Sequence, residues 1–400
     1  MSPEIVIFDK LGGPLTKRIC LDESGALKSE GSACMMSRGM ATRTPVESVG
    51  QLGAIIGSMQ PHQAIALGSL RQGLPQQVDV TTKRKLNGTT LPNTTCRSAD
   101  NITFRSGQHG FALLDFDSKG MPEKVAERLE RAGGFWGALL SILPELSDTA
   151  RIRRASTSSG LYREDTGVPV PGSNGVHIYL AVQDVADSTR FLKTLHDRCW
   201  LAGYGWMMVG AGGQLLERSI IDRMVGAPER LVFEGAPILD APLAQSAEAR
   251  RPEVQEGAWL DTLAACPPLT VLEKATLEEL CAKARHRLSG EAATAREAFV
   301  KERAEGLAKR SGMSVRAAQA LLRKQCGGVL LPSIVLASTI RIWMARPSPT
   351  CWPTQQLSRG RRSPIRWRGS STGDARRASC AAPTAHRGST RSPMAARLMS

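Results

Sequence analysis

Closely spaced cysteines, aromatic residues and long apolar runs are scarce in this 400-residue sequence, and each scarcity excludes a class of protein. The nine cysteines form no CxxC pair, so a zinc ribbon or finger is not expected. Their odd number, with no signal peptide, favours reduced thiols in a cytoplasm. No apolar run approaches the ~18 residues of a membrane span, so we expect a cytoplasmic protein with no membrane partner. With 4% aromatic residues, the core must rely on aliphatic side chains.

The positive charge is concentrated at the carboxyl-terminal end. Residues 337–400 hold 12 arginines, no lysine and one aspartate, so their net charge of +11 leaves +4 of the total of +15 for the other 336 residues. One interpretation is a disordered basic arm that binds nucleic acid. The other is a frameshift, because the codons of TIRIWMA can encode DDPDLDG when read one base out of register. We expect residues 337–400 to form a disordered, frameshift-encoded tail rich in Arg, Ser and Pro. A chain truncated by such a frameshift can keep its sequence motifs and still lose its activity.

Hydrophobic patterns predict an α+β protein built from consecutive segments. Residues 1–90 are predicted to form a mixed αβ unit, with a strand at EIVIF and a helix at PVESVGQLGAIIGSM. Strands and helices alternate within 91–250, which we expect to be the functional core. Residues 251–330 read as helical, and AKRSGMSVRAAQALLRKQ near their end favours a helical hairpin over a helix-turn-helix.

Two aspartates stand at the end of a predicted buried strand, in the sequence GFALLDFDSKG. Side chains alternate along a strand, so Asp115 and Asp117 are expected to point the same way. Two neighbouring carboxylates stay ionised most easily with a cation between them, and Mg²⁺ or Mn²⁺ suits such oxygen ligands. The alternative is a strand end whose acidic side chains are simply solvated.

Further along the chain, a histidine and a third acid add to this pattern. In GSNGVHIYL, alternation turns His177 away from its apolar neighbours and toward the side of the aspartates. In LLERSIIDRMVGAPERLVFEG, Asp222 is a predicted strand-borne acid with Glu217 as a rival, and nearby arginines are Arg218, Arg223 and Arg230. Acids that hold metal ions and basic groups that orient a triphosphate are the parts of a two-metal phosphoryl-transfer site.

The order of LLDFD, GVHIY and SIIDRMVGAPERLVF resembles the catalytic core of the archaeo-eukaryotic primase superfamily, the primase-polymerases. The resemblance is strongest over 110–236. More loosely, 1–336 is similar to the N-terminal part of primase-like replication proteins of plasmids, phages and integrated elements. It implies an RRM-like catalytic core packed against an N-terminal αβ unit. It also implies that Asp115, Asp117 and Asp222 bind Mg²⁺ or Mn²⁺ in the catalytic site.

The same resemblance implies a nucleotide-binding role for a second set of residues. His177 would act in catalysis and contact the phosphates of the incoming nucleotide. Arg230 matches a basic position after the third motif, and its spacing from the preceding acid favours Asp222 over Glu217. Arg154 and Ser156, in RRASTSSGLY, would line the nucleotide pocket. The sequence departs from the family at Gly175, where serine is common.

These features predict a metal-dependent nucleotidyltransferase that makes primers on single-stranded DNA during replication of a mobile element. Its expected partners are nucleoside triphosphates, the DNA template and a replicative helicase, since no GxxxxGK[ST] motif supplies a helicase motor in this chain. One alternative is a non-catalytic replication initiator that binds DNA through the helices of 255–330. Another is a metal-dependent nuclease that uses the same acids.

Overall fold

The computed structural model describes residues 2–326, apart from 31–33, 87, 90, 117, 119, 171–173 and 247. The predicted tail over 337–400 and one predicted metal ligand, Asp117, lie outside the described residues. The described residues divide into two units, 2–302 and 303–326. The described part is a mixed α+β structure with several small sheets, which confirms the fold class predicted from the sequence.

Strands are distributed through the first unit. Before residue 110 they are β1 (Glu4–Lys10), β2 (Arg18–Leu21), β3 (Leu27–Glu30), β4 (Arg38–Pro45), β5 (Gln63–Ala66), β6 (Ser69–Leu70), β7 (Gln77–Thr81), β8 (Thr94–Cys96) and β9 (Ile102–Thr103). From residue 110 they are β10 (Gly110–Phe116), β11 (Arg151–Ala155), β12 (Leu161–Arg163), β13 (Val176–Val182), β14 (Gly205–Val209), β15 (Leu215–Ser219), β16 (Ile238–Leu239), β17 (Leu243–Gln245) and β18 (Glu253–Gln255).

Helices separate many of these strands and dominate the end of the described chain. They are α1 (Val49–Ser58), α2 (Lys83–Leu86), α3 (Glu123–Arg131), α4 (Gly134–Ile142), α5 (Ser188–Leu201), α6 (Thr262–Ala265), α7 (Val271–Arg287), α8 (Ser289–Ser311) and α9 (Val315–Cys326). None of these described helices is long and apolar enough to cross a membrane.

Two sheets organise the first unit. The larger has the order β5-β1-β4-β7-β8, and the second has the order β10-β13-β11-β18. In the second sheet each neighbouring pair is antiparallel. In the smaller sheets β2 lies between β16 and β3, and β6 pairs with β9, β12 with β17, and β14 with β15.

The edge strand β10 is buried on both faces. Phe116 stacks on Phe135 of α4, with ring centroids 4.7 Å apart. Because side chains alternate along the strand, α4 covers the face of Phe116, and Asp115 lies on the opposite face. This arrangement places a carboxylate at the end of an otherwise apolar strand, turned away from the helical layer.

One hydrophobic core is shared between the predicted segments 1–90 and 91–250. Ile56 of α1 belongs to the same buried cluster as Leu114 of β10 and Ile152 of β11. Burying side chains of this size stabilises each by about 1.5–3 kcal/mol relative to exposure. The described parts of these two segments therefore fold against each other within the first unit.

The sequence ERLVFEG, which reads as a strand, forms only an isolated bridge. Val232 and Ile65 exchange backbone hydrogen bonds of 2.8 and 3.1 Å. Pro228 and Pro237 flank the segment, and proline has no backbone N–H for a longer ladder. The segment instead runs between the two sheets as an irregular connection.

The segment 251–330, which the sequence predicts to be helical, contains the short strand β18 and is helical in its described part after residue 261. Thr270 and Glu273 form a reciprocal capping box at the start of α7, with bonds of 3.2 and 2.7 Å to each other's backbone N–H groups. In the second unit, the end of α8 and α9 are joined by a turn at Gly312, whose φ of +69° suits glycine. Ala318 and Leu322 of α9 are buried one helical turn apart.

Candidate active site

Three neighbouring strands bring Asp115, His177 and Arg154 into one row. Asp115 of β10 pairs with His177 of β13, and His177 pairs on its other side with Arg154 of β11. Directly paired residues of antiparallel strands carry their side chains on the same face. His177 Nε2 lies 3.6 Å from Asp115 Oδ1, so the imidazole and the first acid face each other.

Asp222 lies beside this row through its backbone. Its N–H donates to the carbonyl of Asp115 at 3.0 Å, although 107 residues separate the two. The prediction that Asp222 lies on a strand is wrong. The residue follows β15 and caps a short 3₁₀ turn, with Oδ1 accepting from the N–H of Met224 at 2.8 Å. Aspartate favours such caps because its carboxylate satisfies a backbone donor that the turn leaves open.

A cavity of about 370 Å³ opens in front of Asp115 and His177. Its other walls carry the basic side chains of Lys17, Arg97 and Arg230. Arg97 is held by a hydrogen bond of 3.0 Å from its guanidinium to the carbonyl of Glu229. A carboxylate and several cations around one cavity suit a phosphate-bearing ligand with its metal ion.

The side chain of Asp222 lines a second cavity, of about 530 Å³. Glu217 and His196 line the same cavity. Burial, with a smaller effect of the Arg223 charge, lowers the pKa of His196 to about 4, so this histidine is neutral near pH 7. Glu217 binds Arg223 at 3.2 Å with one oxygen and Arg285 with the other. These pairings occupy Glu217, and Asp222 remains the better candidate for the third acid.

The carboxylates within the described residues are suited to a metal ion that arrives with its substrate. The described part of the chain contains no group of three or more His, Cys, Asp or Glu side chains arranged to hold a metal. Of the three predicted ligands, Asp115 and Asp222 lie within it, and Asp117 does not. Mg²⁺ usually takes one or two carboxylates and completes its shell with phosphate oxygens and water. Asp115, at the 370 Å³ cavity, fits that mode of binding, whereas the side chain of Asp222 lines the 530 Å³ cavity.

Behind His177, a fully buried carboxylate collects hydrogen bonds from four side chains. Glu234 Oε1 lies 2.5 Å from His177 Nδ1 and accepts from the Tyr179 hydroxyl at 2.6 Å. Its Oε2 accepts from Arg154 at 3.0 Å and from Arg250 at 3.4 Å. A buried carboxylate requires such compensation, because an unpaired charge away from water is strongly unfavourable.

The pKa values of this cluster follow from burial and from the charges within it. Burial alone would lower the pKa of His177, but the charge and hydrogen bond of Glu234 outweigh it and raise the pKa. Burial would raise the pKa of Glu234, but His177 and Arg154 outweigh it and lower the pKa to about 2. Burial, followed by the charge of Glu234, raises the pKa of Tyr179. Burial lowers the pKa of Arg250 to about 10, so the arginine stays charged near pH 7.

Comparison with known proteins identifies no relative of this chain. No family model, curated protein or solved structure matches this chain. The functional argument therefore depends on the geometry and charges of the site itself.

The predicted nucleotide-binding residues divide into two groups. His177 and Arg230 line the 370 Å³ cavity. Arg154 is buried, and its guanidinium donates to Glu234, to the carbonyl of Ile56 at 2.6 Å and to a further carbonyl, so we assign it a structural role. Ser156 is also buried and bonds to a neighbouring serine hydroxyl, whereas the adjacent Thr157 lines the cavity.

Sequence reasoning missed Lys17, Arg97 and Glu234. The first two lie in basic or polar stretches far from the motifs in sequence, where no local pattern distinguishes them from solvated charges. Glu234 could have been noticed in the sequence, because a lone acid in the apolar stretch LVFEG is unusual in a buried segment. Only the fold identifies its partners.

The absence of a side chain at Gly175 has a steric reason. A Cβ at Gly175 would lie 2.5 Å from Ser156 Oγ and 3.1 Å from Ser156 Cβ. Ser156 therefore fills the space that a side chain at position 175 would need. Its backbone N–H also donates to the carbonyl of Gly175 at 2.8 Å, which fixes the two segments together.

Gly175→Ser should lower the free energy of unfolding by about 1–3 kcal/mol, because the added side chain overpacks this contact. Adding Ser156→Gly to it should restore most of the loss. Urea denaturation of the wild type, the two single variants and the double variant measures both effects. Wild-type stability of Gly175→Ser alone would contradict the steric explanation.

Proposed function

We propose that this chain is a metal-dependent nucleotidyltransferase that synthesises primers on single-stranded DNA, a primase-polymerase acting in replication of a mobile element. One observation carries the proposal. Asp115 and His177 face one cavity that Lys17, Arg97 and Arg230 also line, and the backbone N–H of Asp222 donates to the carbonyl of Asp115. Facing acids and bases of this kind can hold a nucleoside triphosphate together with its divalent ion.

The connectivity of the second sheet supports an RRM-like core. The chain runs β10, α3 and α4, β11, β13 and α5, and the strands lie in the order β10-β13-β11. Two parallel strands with an antiparallel strand between them form a split β-α-β unit, which RRM-like and ferredoxin-like sheets share. The fourth strand, β18, joins beside β11. The free edge of β10 is instead met by the segment that ends at Asp222.

The described residues divide the work of binding a triphosphate. Lys17, Arg97 and Arg230 neutralise phosphate oxygens, and His177 presents Nε2 to the same cavity. Asp115 would hold the divalent ion, which supplies charge neutralisation and a more acidic attacking hydroxyl. Asp222 is the candidate for a further ligand, because its backbone N–H is bonded to the carbonyl of Asp115. Catalysis of phosphoryl transfer needs little more than such positioning and electrostatic stabilisation.

A primer-synthesis assay tests the proposal. The full chain is incubated with circular single-stranded DNA, labelled nucleotides and Mg²⁺ or Mn²⁺, and we expect labelled products complementary to the template. Excess EDTA should abolish the product, and added Mg²⁺ or Mn²⁺ should restore it.

Two other results of the same assay would overturn the proposal. DNA binding without synthesis would favour the replication initiator. Degradation of the circle without incorporation would favour the nuclease.

A further inference from the structure

We propose that Glu234 is a positioning residue that fixes the His177 imidazole with Nδ1–H against the buried carboxylate and Nε2 turned to Asp115 and the cavity. The inference deepens the proposed function and rests on it. It assigns a role to a buried acid that is not among the described residues lining the cavity.

The orientation of the ring follows from the chemistry of its neighbours. Two buried arginines donate to the Glu234 carboxylate and favour its ionised form, which only accepts hydrogen bonds. The 2.5 Å contact with His177 therefore requires a proton on Nδ1. The other ring nitrogen, Nε2, lies 3.6 Å from Asp115 Oδ1 at the cavity. A flipped ring would lose the short bond to Glu234 and leave the carboxylate under-satisfied.

Glu234 is itself held from several directions. Tyr179 donates to the oxygen that faces His177. Arg154 donates to the other oxygen and is anchored to the carbonyls of Ile56 and Arg250, at 2.6 and 2.8 Å. Arg250 in turn donates to the backbone carbonyl of Glu234 at 3.1 Å. The carboxylate can therefore act as a fixed point, as outer carboxylates do for histidines in metal sites.

The charge of Glu234 also argues for a role beyond packing. Replacing a buried ion pair by apolar side chains often leaves stability unchanged or raises it, so stability alone is a weak reason to bury this acid. Here the buried charge contacts the one histidine that lines the cavity among the described residues. Lys17 and Asp115 are the other charged groups that act on this imidazole.

The test combines a double-mutant cycle with a direct view of the histidine. Glu234→Gln, His177→Ala and the double variant are assayed for kcat/KM with the nucleotide as substrate. Glu253→Gln is the matched control, because Glu253 lies on β18 of the same sheet and is exposed, in a pair with Arg153. We expect Glu234→Gln to lower kcat/KM by about 10- to 100-fold. The double variant should be no slower than His177→Ala, and Glu253→Gln should match the wild type.

Independent losses that multiply in the double variant would show that Glu234 acts structurally rather than through His177. Wild-type kcat/KM in Glu234→Gln would equally overturn the proposal.

Nitrogen-15 NMR of the full chain with labelled histidine reports the protonation and hydrogen bonding of the His177 ring, and it does not depend on enzymatic activity. The chain has six histidines, and the signal missing in His177→Ala identifies the one of interest. We expect a strongly deshielded, slowly exchanging Nδ1 proton in the wild type that moves toward an ordinary imidazole position in Glu234→Gln. An ordinary Nδ1 signal in the wild type would refute the positioning role even if the enzyme is active. A deshielded signal in a chain without synthesis would instead refute the proposed function alone.

Discussion

Asp115→Asn should reduce nucleotide incorporation by at least about 10³-fold, the scale on which a preorganised electrostatic group contributes to a transition state. The amide keeps the size of the side chain but removes the charge that would hold the divalent ion. It also removes the charge that faces His177 Nε2 at 3.6 Å. The primer-synthesis assay with excess nucleotide measures the loss.

The fold should survive this substitution, because the Asp115 backbone carbonyl still accepts from Asp222 and the apolar strand is unchanged. Circular dichroism and urea denaturation check this point. Asp79→Asn is the matched control, since Asp79 is exposed on β7 of the other sheet. Undiminished incorporation by Asp115→Asn would remove the catalytic role of this acid and, with it, the proposed site.

Glu234→Ala should lower the free energy of unfolding by about 3–5 kcal/mol, because it leaves buried cations without their counter-ion. Arg154 and Arg250 are 7% and 5% exposed, so water cannot replace the lost carboxylate. Tyr179 and His177 lose their acceptor at the same time. Urea denaturation at neutral pH measures the change.

The exposed pair of Glu253 and Arg153 provides the comparison. Glu253→Ala should cost at most about 1 kcal/mol, since exposed ion pairs contribute little. Glu234→Gln should lie between the two, because it keeps an acceptor oxygen but loses the charge. Equal losses in Glu234→Ala and Glu253→Ala would show that water reaches the cluster around Glu234.

Local patterns predicted the elements that carry the site. The strands predicted around FALLDFD and VHIYL are confirmed as β10 and β13. Alternation also determines the face on which Asp115 and His177 lie, and the register of β10 and β13 pairs the two residues directly. The strands and the faces of their side chains depend on residues that are neighbours in sequence, so they can be predicted from a single sequence.

The features that the sequence did not predict depend on contacts between residues far apart along the chain. LVFEG reads as a strand, yet the burial of Glu234 depends on Arg154, which is 80 residues away. The same buried contact gives Arg154 a structural role in place of the predicted nucleotide contact. SIID likewise reads as a continuing strand, and its aspartate instead caps a turn against Asp115. A single sequence does not reveal which distant charges will meet.

The guanidinium of Arg154 has a consequence for the order in which the protein folds. It joins the carbonyls of Ile56 and Arg250, which lie 98 and 96 residues from it along the chain. Contacts at such separations form late, because closing long loops costs entropy before the contacts repay it. On the ribosome, a nascent chain that ends before Arg250 would expose an incompletely neutralised Glu234. We therefore expect the arrangement of His177 and Glu234 to be completed only after that arginine has emerged and docked.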